Sequence, residues 1–352
     1  MLPESVVHQF KLPYDDFSIQ PISSGLINDT LLISSKKTPE NERFVLQKIN
    51  KTVFNQPDKL MNNLIRINRH LEIKAAAHQQ LIPSKKGLLY FVDDNSDYWR
   101  VTKYLENTRT LFSTDDPEIA YEAATNYGKF LHDLHDLNPA EICETIANFH
   151  NYKNRIVQLT DAIKSNVADR LRYAENERDI VHNKLHLIER YYNLNMPIRV
   201  IHGDTKITNI LFDAHSYKGK LVIDLDISMP ASILYDYGDM VRSFTNTLEE
   251  DNPALDLIDV KRDIFEHLTR GFLQSTSSFA TETEKANLLL GAKLVILIQA
   301  IRNLTDYLKG DVYYKIDYDR HNLHRAQNQL TFLSAVEKRE TELQKMIDKH
   351  TR

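Results

Sequence analysis

The chain has 352 residues, 42% of them hydrophobic and 26% charged, with 9 glycines and 11 prolines. This length allows one large domain or two joined lobes, and the composition excludes disordered, collagen-like and low-complexity classes. Lys and Arg number 44 against 49 Asp and Glu, a net charge of −5. Such a balance excludes a broad basic surface, so we expect no nucleic-acid partner.

The sequence also bears on location. Residues 1–5 lack the basic region that begins a signal peptide, and the longest apolar stretch, residues 288–301, contains Lys293 and is too short to cross a bilayer. We therefore expect a cytoplasmic protein with no membrane partner. The lone cysteine, Cys143, excludes an intrachain disulfide and a cysteine metal cluster, and we expect its thiol to be buried.

The N-terminal part of the chain favours short strands. Residues 18–33 and 43–49 are typical of consecutive antiparallel strands, and residues 88–92 and 98–104 flank a turn cluster. Between them, Pro57 begins a predicted helix with apolar residues at helical spacing, which should pack against the sheet. These residues are Leu60, Leu64, Ile67 and Leu71.

Helical patterns dominate after residue 107. Asp116 is a predicted N-cap with Pro117 at the first helical position. A β-rich interval interrupts the helices, with strands predicted at residues 198–201, 210–212 and 221–225. The sequence therefore predicts an α+β protein with an N-terminal lobe at residues 1–106 and a larger, mainly helical lobe at residues 107–352.

Polar residues with a kinase-like spacing lie in this β-rich interval. Asp204 follows a strand, Asn209 comes five residues later, and an apolar strand leads into Asp224. In kinases, an Asp that receives the acceptor proton and an Asn five residues on, with a second Asp after the next strand, meet at the γ-phosphate of ATP. We predict Asp204 as the catalytic carboxylate, and Asn209 and Asp224 as ligands of Mg²⁺.

A cation lies close to this motif. Lys206, two residues beyond Asp204, is placed to balance charge on a transferring phosphoryl group, and we predict it as a second catalytic residue. Any one of these residues alone would more often be a surface or turn residue. Their ordered combination on a strand, a loop and a strand favours a kinase-type site.

These motifs resemble the aminoglycoside phosphotransferase and choline kinase family, through His202-Gly203-Asp204, Asn209, Asp224-Leu225-Asp226 and the block at residues 235–239. The resemblance implies a two-lobed protein-kinase-like fold, with the N-terminal lobe binding the nucleotide. It implies that Asp236 braces the loop around His202. Asp226 either completes the outer shell of the metal or bonds the backbone of the catalytic loop.

Further blocks resemble one subfamily, the bacterial N-acetylhexosamine 1-kinases, over almost the whole chain. They lie at residues 25–30, 45–47, 144–150 and 306–314. This resemblance implies ATP- and Mg²⁺-dependent phosphorylation of the anomeric hydroxyl of N-acetylglucosamine or N-acetylgalactosamine. The alternatives are a related kinase acting on another small alcohol, such as choline, homoserine, methylthioribose or an aminoglycoside, and a catalytically silent nucleotide-binding scaffold.

The nucleotide-binding lobe departs from the kinase pattern. A kinase strand ends in a Lys that reaches the α and β phosphates and pairs with a Glu on the next helix. Here the strand ends in Gln47 and Lys48, and residues 58–70 contain no Glu. Strand alternation turns Gln47 inward, unless a bulge aims Lys48 at the phosphates.

Other nucleotide contacts are expected in two segments. A loop with a single glycine offers Ser23, Ser24 and Asn28 to the phosphates. The adenine should lie between the lobes, against the segment formed by Lys103, Tyr104 and Leu105.

A sugar acceptor requires hydrogen-bonding side chains and an aromatic face. The candidates are His150, Arg302, Asp306, Tyr307, Asp311 and Tyr314, together with Asp204. Arg302 and Asp306 lie four residues apart, so an ion pair on a helix surface is the alternative for them. Tyr307 and Tyr314 have the alternative of being core aromatics.

Overall fold

The computed structural model describes residues 2–22, 28–38 and 42–351. Within these residues, the N-terminal lobe contains an antiparallel sheet with helix α1 before it and helix α2 between its third and fourth strands. The elements are α1 (Pro3–Val7), β1 (Phe17–Pro21), β2 (Asp29–Ser35), β3 (Phe44–Lys48), α2 (Pro57–Ile73), β4 (Phe91–Val92) and β5 (Tyr98–Lys103). The strand order is β1-β2-β3-β5-β4.

The C-terminal lobe is mainly helical, as the sequence predicts. Its strands are β6 (Thr108–Arg109), β7 (Arg199–Ile201), β8 (Ile210–Asp213), β9 (Gly219–Val222) and β10 (Met229–Ala231). Its helices are α3 (Pro117–Leu134), α4 (Tyr152–Ser165), α5 (Glu175–Lys184), α6 (His186–Asn193), α7 (Ile233–Phe244), α8 (Arg262–Thr276), α9 (Glu282–Ala286), α10 (Leu288–Leu308), α11 (His321–Lys338) and α12 (Glu340–Thr351). The Asp116 side chain caps α3 by accepting a hydrogen bond from the Glu118 N–H at 2.9 Å.

Strand β3 has regular neighbours on both sides. Gln47 lies opposite Thr30 of β2 and opposite Arg100 of β5. Residues opposite each other in neighbouring strands project to the same face of a sheet, so these three side chains share one face. The ladders of the described strands show no register shift along β3, so the bulge considered for Lys48 is not present there.

Two hydrophobic clusters organise the described residues. The smaller one joins α1 to the sheet, with Val6, Ile33, Leu46 and Val101 among its fully buried members. The larger one fills the C-terminal lobe and also contains the apolar stripe of α2. Tyr98 of β5 packs against the larger cluster as well, so α2 lies between the sheet and the C-terminal lobe. The lobe boundary at residue 106 stays a prediction, because the clusters do not divide there.

Helix α10 is buried along nearly its whole length. It has 21 residues, and its length and composition alone would allow it to cross a bilayer. However, 89% of its most apolar window is buried inside the protein, where α4, α7 and α11 pack against it. This burial is typical of the central helix of a large lobe, and the helix extends beyond the predicted stretch of residues 288–301.

The two short sheets of the C-terminal lobe carry the polar motifs. β7 pairs with β10, and β8 lies between β6 and β9. The strand predicted at residues 221–225 ends earlier, at Val222, because Asp224 adopts a left-handed conformation with φ of 64°. Asp224 therefore lies in a turn, at the start of the short 3-10 helix Leu225–Ile227.

Asn63 of α2 bonds the backbone of the C-terminal lobe. Its Oδ1 accepts a hydrogen bond from the Cys143 N–H at 2.9 Å, and its Nδ2 donates to the Cys143 carbonyl at 2.7 Å. The Cys143 side chain is exposed, so the expectation of a buried thiol is wrong. What Cys143 contributes is a backbone partner for α2.

We predict that Asn63→Ala lowers the free energy of unfolding by about 1–3 kcal/mol, because it leaves backbone groups at Cys143 unpaired. Urea denaturation measures this. Asn62→Ala is the matched control, because Asn62 is exposed on the same helix, and its effect should stay within about 0.5 kcal/mol. Equal losses in both variants would show that the Asn63 contact does not stabilise the fold.

Candidate functional site

The catalytic loop turns at Gly203. This residue has φ of +83°, and a Cβ built there would lie 2.7 Å from the Ile227 carbonyl oxygen. A side chain is therefore excluded both by the left-handed backbone and by the lack of space. The close approach brings the loop that carries Asp204 against the segment that follows Asp224.

His202 connects the same two segments by hydrogen bonds. Its Nδ1 accepts from the Asp204 N–H at 3.2 Å, and its Nε2 donates to the Ile223 carbonyl at 2.9 Å. Burial lowers the pKa of His202, so the ring is neutral and can accept at one nitrogen while donating at the other. Tyr127 holds the ring edge-on, with centroids 5.2 Å apart.

Two carboxylates of helix α7 accept hydrogen bonds from the backbone of the loop that carries Asp204. Asp236 accepts hydrogen bonds from the N–H groups of His202 and Gly203, both at 2.8 Å. Asp239 accepts from the Thr205 N–H at 2.9 Å. Burial raises the pKa of Asp236 to about 7, while its two N–H donors oppose that shift. The loop conformation therefore depends on a helix that lies further along the chain, because Asp236 is 34 residues from His202.

Asp204 lies between a cation and an amide. The Lys206 ammonium is 2.8 Å from Oδ1, and Asn209 donates from Nδ2 to Oδ2 at 3.1 Å. Burial acts to raise the pKa of Asp204, but the Lys206 charge outweighs it and holds the pKa below its usual value. Asp204 is therefore ionised at neutral pH and can accept a proton or orient a hydroxyl.

Asp224 has the surroundings of a cation ligand. Among the described residues, no group donates a hydrogen bond to its carboxylate. Burial raises its pKa to about 7, and the nearby Asp226 and Asp204 carboxylates add to the shift. A carboxylate without a donor, beside like charges, is stabilised by a bound cation.

The donor set fits Mg²⁺. Asn209 uses its Nδ2 toward Asp204, which leaves its Oδ1 as a hard oxygen ligand next to Asp224. The described residues contain no group of three or more His, Cys, Asp or Glu side chains able to hold a metal alone. Mg²⁺ is commonly bound by one or two protein oxygens together with substrate phosphates, so the oxygens of Asn209 and Asp224 are suitable in number and kind.

Asp226 bonds side chains of the other lobe. Arg100 of β5 donates to both of its oxygens, with Nη2 at 3.0 Å from Oδ2, and Asn28 donates to Oδ2 at 2.6 Å. Arg100 and Asp226 are each only 3% exposed. In this arrangement the Asp226 carboxylate joins the C-terminal lobe to the sheet, and the two roles considered for it stay predictions.

Gln47 and Lys48 lie at the end of β3, where kinases have the lysine that reaches the phosphates. Gln47 faces the cleft, where its Oε1 accepts from Arg100 Nε at 2.9 Å. Lys48 lies on the opposite face, with its ammonium 2.6 Å from Asp97. The cation of the cleft-facing side is therefore Arg100, which sequence reasoning missed. Its only signal was an arginine at an inward position of a predicted strand.

The expected phosphate loop is described at one end only. Ser23 and Ser24 lie outside the described residues. Asn28 is 8% exposed, and its Oδ1 accepts from the Asn50 N–H at 3.0 Å while its Nδ2 donates to Asp226. Asn28 thus anchors the start of β2 beside the segment that contains Asp224 and Asp226.

The segment between the lobes has an open backbone edge. The Tyr104 N–H donates to the Arg43 carbonyl at 2.9 Å, and the Arg43 guanidinium lies 4.4 Å from the centre of the Tyr104 ring. Lys103 points to the surface, where it pairs with Glu42. In the part of the chain that the structure describes, no group accepts from the Leu105 N–H, so this donor is available to a base such as adenine.

Three of the acceptor candidates lie together beside the catalytic loop. The Arg302 guanidinium is 5.6 Å from the centre of the Tyr314 ring, and the His150 ring meets the Tyr235 ring edge-on at 4.1 Å. A Cβ at Gly203 would lie 3.2 Å from His150 Nε2, so His150 adjoins the loop of Asp204. These side chains lie together, and we refer to their surroundings as the acceptor-side pocket; that they contact an acceptor stays a prediction.

This pocket carries surplus positive charge. Arg155 of α4 and Arg302 are close enough to lower the pKa of His150, which burial takes to about 3, so the ring is neutral. No carboxylate of the described residues forms an ion pair with either arginine. Neither ring nitrogen of His150 has a hydrogen-bond partner there. Buried polar groups are normally paired, so these atoms are available to a ligand.

The remaining acceptor candidates form a neighbouring cluster. The Asp306 carboxylate accepts from the N–H groups of residues 312, 313 and 314, and from Asn322 Nδ2 at 2.9 Å. Asp311 pairs with Arg170, whose guanidinium lies 5.0 Å from the centre of the buried Tyr307 ring. Direct contacts of these residues with an acceptor stay a prediction; in the structure they hold the segment that carries Tyr314.

The chain matches a known family of phosphotransferases. The profile of the APH phosphotransferase enzyme family matches residues 18–262. The structure is also similar to the microcompartment-associated aminopropanol kinase, with a TM-score of 0.62 and 14% identity over 97% of each chain.

Two further solved structures are similar as well. An aminoglycoside phosphotransferase from Alicyclobacillus acidocaldarius gives a TM-score of 0.63 and 13% identity over 99% of this chain and 96% of that one. Amicoumacin kinase, solved in complex with AMP-PNP, Ca²⁺ and Ami, gives a TM-score of 0.63 and 11% identity over 93% of this chain and 91% of that one. At these identities the likeness establishes the kinase-like fold expected from the sequence.

We predict that Asp236→Asn lowers kcat by about 100-fold, because an amide nitrogen cannot accept from the loop N–H groups and Asp204 loses its position. The KM for ATP should change less than about twofold, and steady-state kinetics measure both. Asp263→Asn, at an exposed position of α8, is the control. An unchanged kcat in Asp236→Asn would show that the loop does not need this brace.

Stability should depend on pH through His150. Its pKa is lowered from 6.5 to about 3 in the folded chain, so the unfolded chain takes up a proton first as pH falls. The stability contributed is present above about pH 6.5 and is lost as pH falls toward 3. His150→Gln should therefore lose less Tm than wild type between pH 7 and 5, with the exposed His182→Gln as control. Equal slopes in wild type and His150→Gln would contradict this.

Proposed function

Because the chain belongs to the APH phosphotransferase enzyme family, we propose that it transfers the γ-phosphoryl group of ATP to the anomeric hydroxyl of an N-acetylhexosamine. N-acetylglucosamine and N-acetylgalactosamine are the proposed acceptors, and the product is the sugar 1-phosphate. The sequence blocks at residues 144–150 and 306–314 support this substrate. A cytoplasmic location, where ATP is available, belongs to the same proposal.

The residues around Asp204 support in-line phosphoryl transfer. The acceptor oxygen forms a bond to the γ-phosphorus, the bond to the β–γ bridging oxygen breaks, and ADP leaves. The hydroxyl proton passes to Asp204, whose low pKa makes the carboxylate available to receive it. Lys206, 2.8 Å from Asp204, balances the negative charge on the transferring group.

The nucleotide and the metal are assigned to the cleft between the lobes. Asn209 and Asp224 hold Mg²⁺, which when bound neutralises charge on the β and γ phosphates. Adenine is placed at the Leu105 N–H. Gln47 and Asn28 belong to the cleft-facing side, whereas Lys48 and Lys103 are engaged with Asp97 and Glu42 elsewhere.

The observation that carries the choice of acceptor is the surplus positive charge at Arg155 and Arg302. Aminopropanol and aminoglycosides carry amines that are protonated at neutral pH, and two guanidinium groups that form no ion pair with a carboxylate of the described residues would repel them. An acetamide carries no charge and offers a carbonyl oxygen that an arginine can donate to. An N-acetylated sugar therefore fits this pocket better than its free-amine analogue.

The test is ADP release with ATP and Mg²⁺ against a panel of acceptors: N-acetylglucosamine, N-acetylgalactosamine, glucosamine, glucose, choline and an aminoglycoside. We expect turnover of an N-acetylhexosamine, with glucosamine at least about tenfold slower. Asp204→Asn should lower that turnover by about 1,000-fold, because the proton acceptor is lost, and leave ATP binding within about threefold. Phosphorus NMR of the product should show an anomeric phosphate.

Other outcomes would redirect the proposal in different ways. Preferred turnover of choline or an aminoglycoside would keep the catalytic site and overturn the acceptor. Silence with every acceptor, with ATP still bound, would favour the nucleotide-binding scaffold. Near-normal kcat in Asp204→Asn, compared with the exposed Asp263→Asn, would overturn the role of Asp204.

A further inference from the structure

The buried pair between Arg100 and Asp226 crosses the nucleotide cleft. Arg100 projects from the sheet, and Asp226 lies two residues after the metal ligand Asp224, in the same short 3-10 helix. The contact is bidentate and each partner is 3% exposed. A guanidinium in this geometry fixes the orientation of the carboxylate as well as its position.

The segment that carries Asp224 has partners in both lobes. From the sheet side, Arg100 and Asn28 donate to the Asp226 carboxylate. From the C-terminal lobe, Thr145 Oγ1 donates to the Asp226 carbonyl at 2.8 Å. The turn is thus held from opposite sides, and Asp224 itself adopts the left-handed conformation, which aspartate adopts more readily than most residues other than glycine.

The lysine–glutamate ion pair that is usual in the N-terminal lobe of kinases is absent from the described residues. In kinases a strand lysine pairs with a glutamate on the next helix, within one lobe. Here the strand position is Gln47, which bonds Arg100, and α2 presents Asn63, which bonds the backbone of Cys143. Both positions are connected toward the C-terminal lobe instead of to each other.

We propose that Arg100 is a positioning residue that holds the metal ligand Asp224 in place through its buried pair with Asp226. The pair does across the cleft what the lysine–glutamate pair does within the N-terminal lobe of other kinases. This inference rests on the proposed phosphoryl transfer but not on the identity of the acceptor.

A role as a direct phosphate ligand fits the contacts less well. Nε of Arg100 is used by Gln47, and its two terminal nitrogens each donate to an oxygen of Asp226. The Asp226 charge already balances the guanidinium. The geometry is therefore that of a structural clamp between two charged groups, with its effect delivered through the backbone to Asp224.

The experiment measures the Mg²⁺ concentration that gives half of the full increase in ATP affinity, and in parallel the Mg²⁺ concentration for half-maximal rate. For Arg100→Gln we expect both concentrations to rise about tenfold, because supporting contacts of metal ligands typically contribute that much affinity. The affinity for ATP without Mg²⁺ and the KM of the acceptor should stay within about twofold.

Two further variants separate the clamp from a simple charge. Arg100→Lys keeps the charge but loses the bidentate geometry, so its Mg²⁺ requirement should resemble that of Arg100→Gln. Adding Gln47→Lys to Arg100→Gln restores a cation on the same face and should not restore the Mg²⁺ affinity. Restoration by either lysine would overturn the clamp and favour a charge effect.

Control variants in the same series separate effects on folding from effects on Mg²⁺ binding. Arg100→Gln leaves Asp226 buried without its partner, whereas Arg100→Gln with Asp226→Asn removes both charges. The double variant should need no more Mg²⁺ than Arg100→Gln alone, since both act on one contact. Arg69→Gln, exposed on α2, is the matched control. A loss of metal-free ATP affinity with unchanged Mg²⁺ dependence would overturn the proposal in favour of a phosphate ligand.

The binding measurement separates this inference from the function. If wild type turned over no acceptor but its ATP affinity depended on Mg²⁺, the proposed sugar kinase activity would fail while the Arg100 series could still be read. If Mg²⁺ had no effect on ATP binding in wild type, the assignment of Asp224 as a metal ligand, and the clamp with it, would fall.

Discussion

A guanidinium and a carboxylate that are both removed from water have to remain paired, because either group alone is costly in a protein interior. Arg100 and Asp226 form such a pair, and they belong to different lobes. The sheet and the segment that carries Asp224 are therefore joined in one relative position in this structure. Residues of the candidate site lie beside this pair, since Asp224 is two residues from Asp226, while Asn28 bonds Asp226 and Gln47 bonds Arg100.

Within the C-terminal lobe, the loop that carries Asp204 is shaped both by its own residues and by its neighbours. Gly203 permits the left-handed turn, His202 bridges to the strand before Asp224, and two carboxylates of α7 collect the loop N–H groups. These contacts satisfy backbone donors that the turn leaves unpaired. Asp204 is thereby held next to Lys206 by a loop in which the backbone N–H groups of residues 202–205 are hydrogen-bonded.

Local patterns predicted much of this protein, because strand alternation, helix capping and the spacing of Asp204, Asn209 and Asp224 are all short-range. The partners of Asp226 were beyond reach, since Arg100 lies 126 residues away and sequence does not report which inward-facing residue meets which. The early end of β9 was missed because the apolar run before Asp224 continues past the last strand residue, Val222, while Asp224 itself lies in the left-handed region. The sequence also could not show that Arg155 and Arg302 form no ion pair with a carboxylate of the described residues, because that depends on where the carboxylates lie in space.

Helix α10 has a consequence for the order in which the chain is made. Nearly all of its residues are buried, and much of its cover comes from α11, which leaves the ribosome later. Until α11 has been synthesised, the nascent chain presents a 21-residue helix with the length and composition of a membrane span. A chain interrupted between α10 and α11 would therefore be a substrate for chaperones or for misdirected membrane insertion, although the finished protein buries the same helix at its centre.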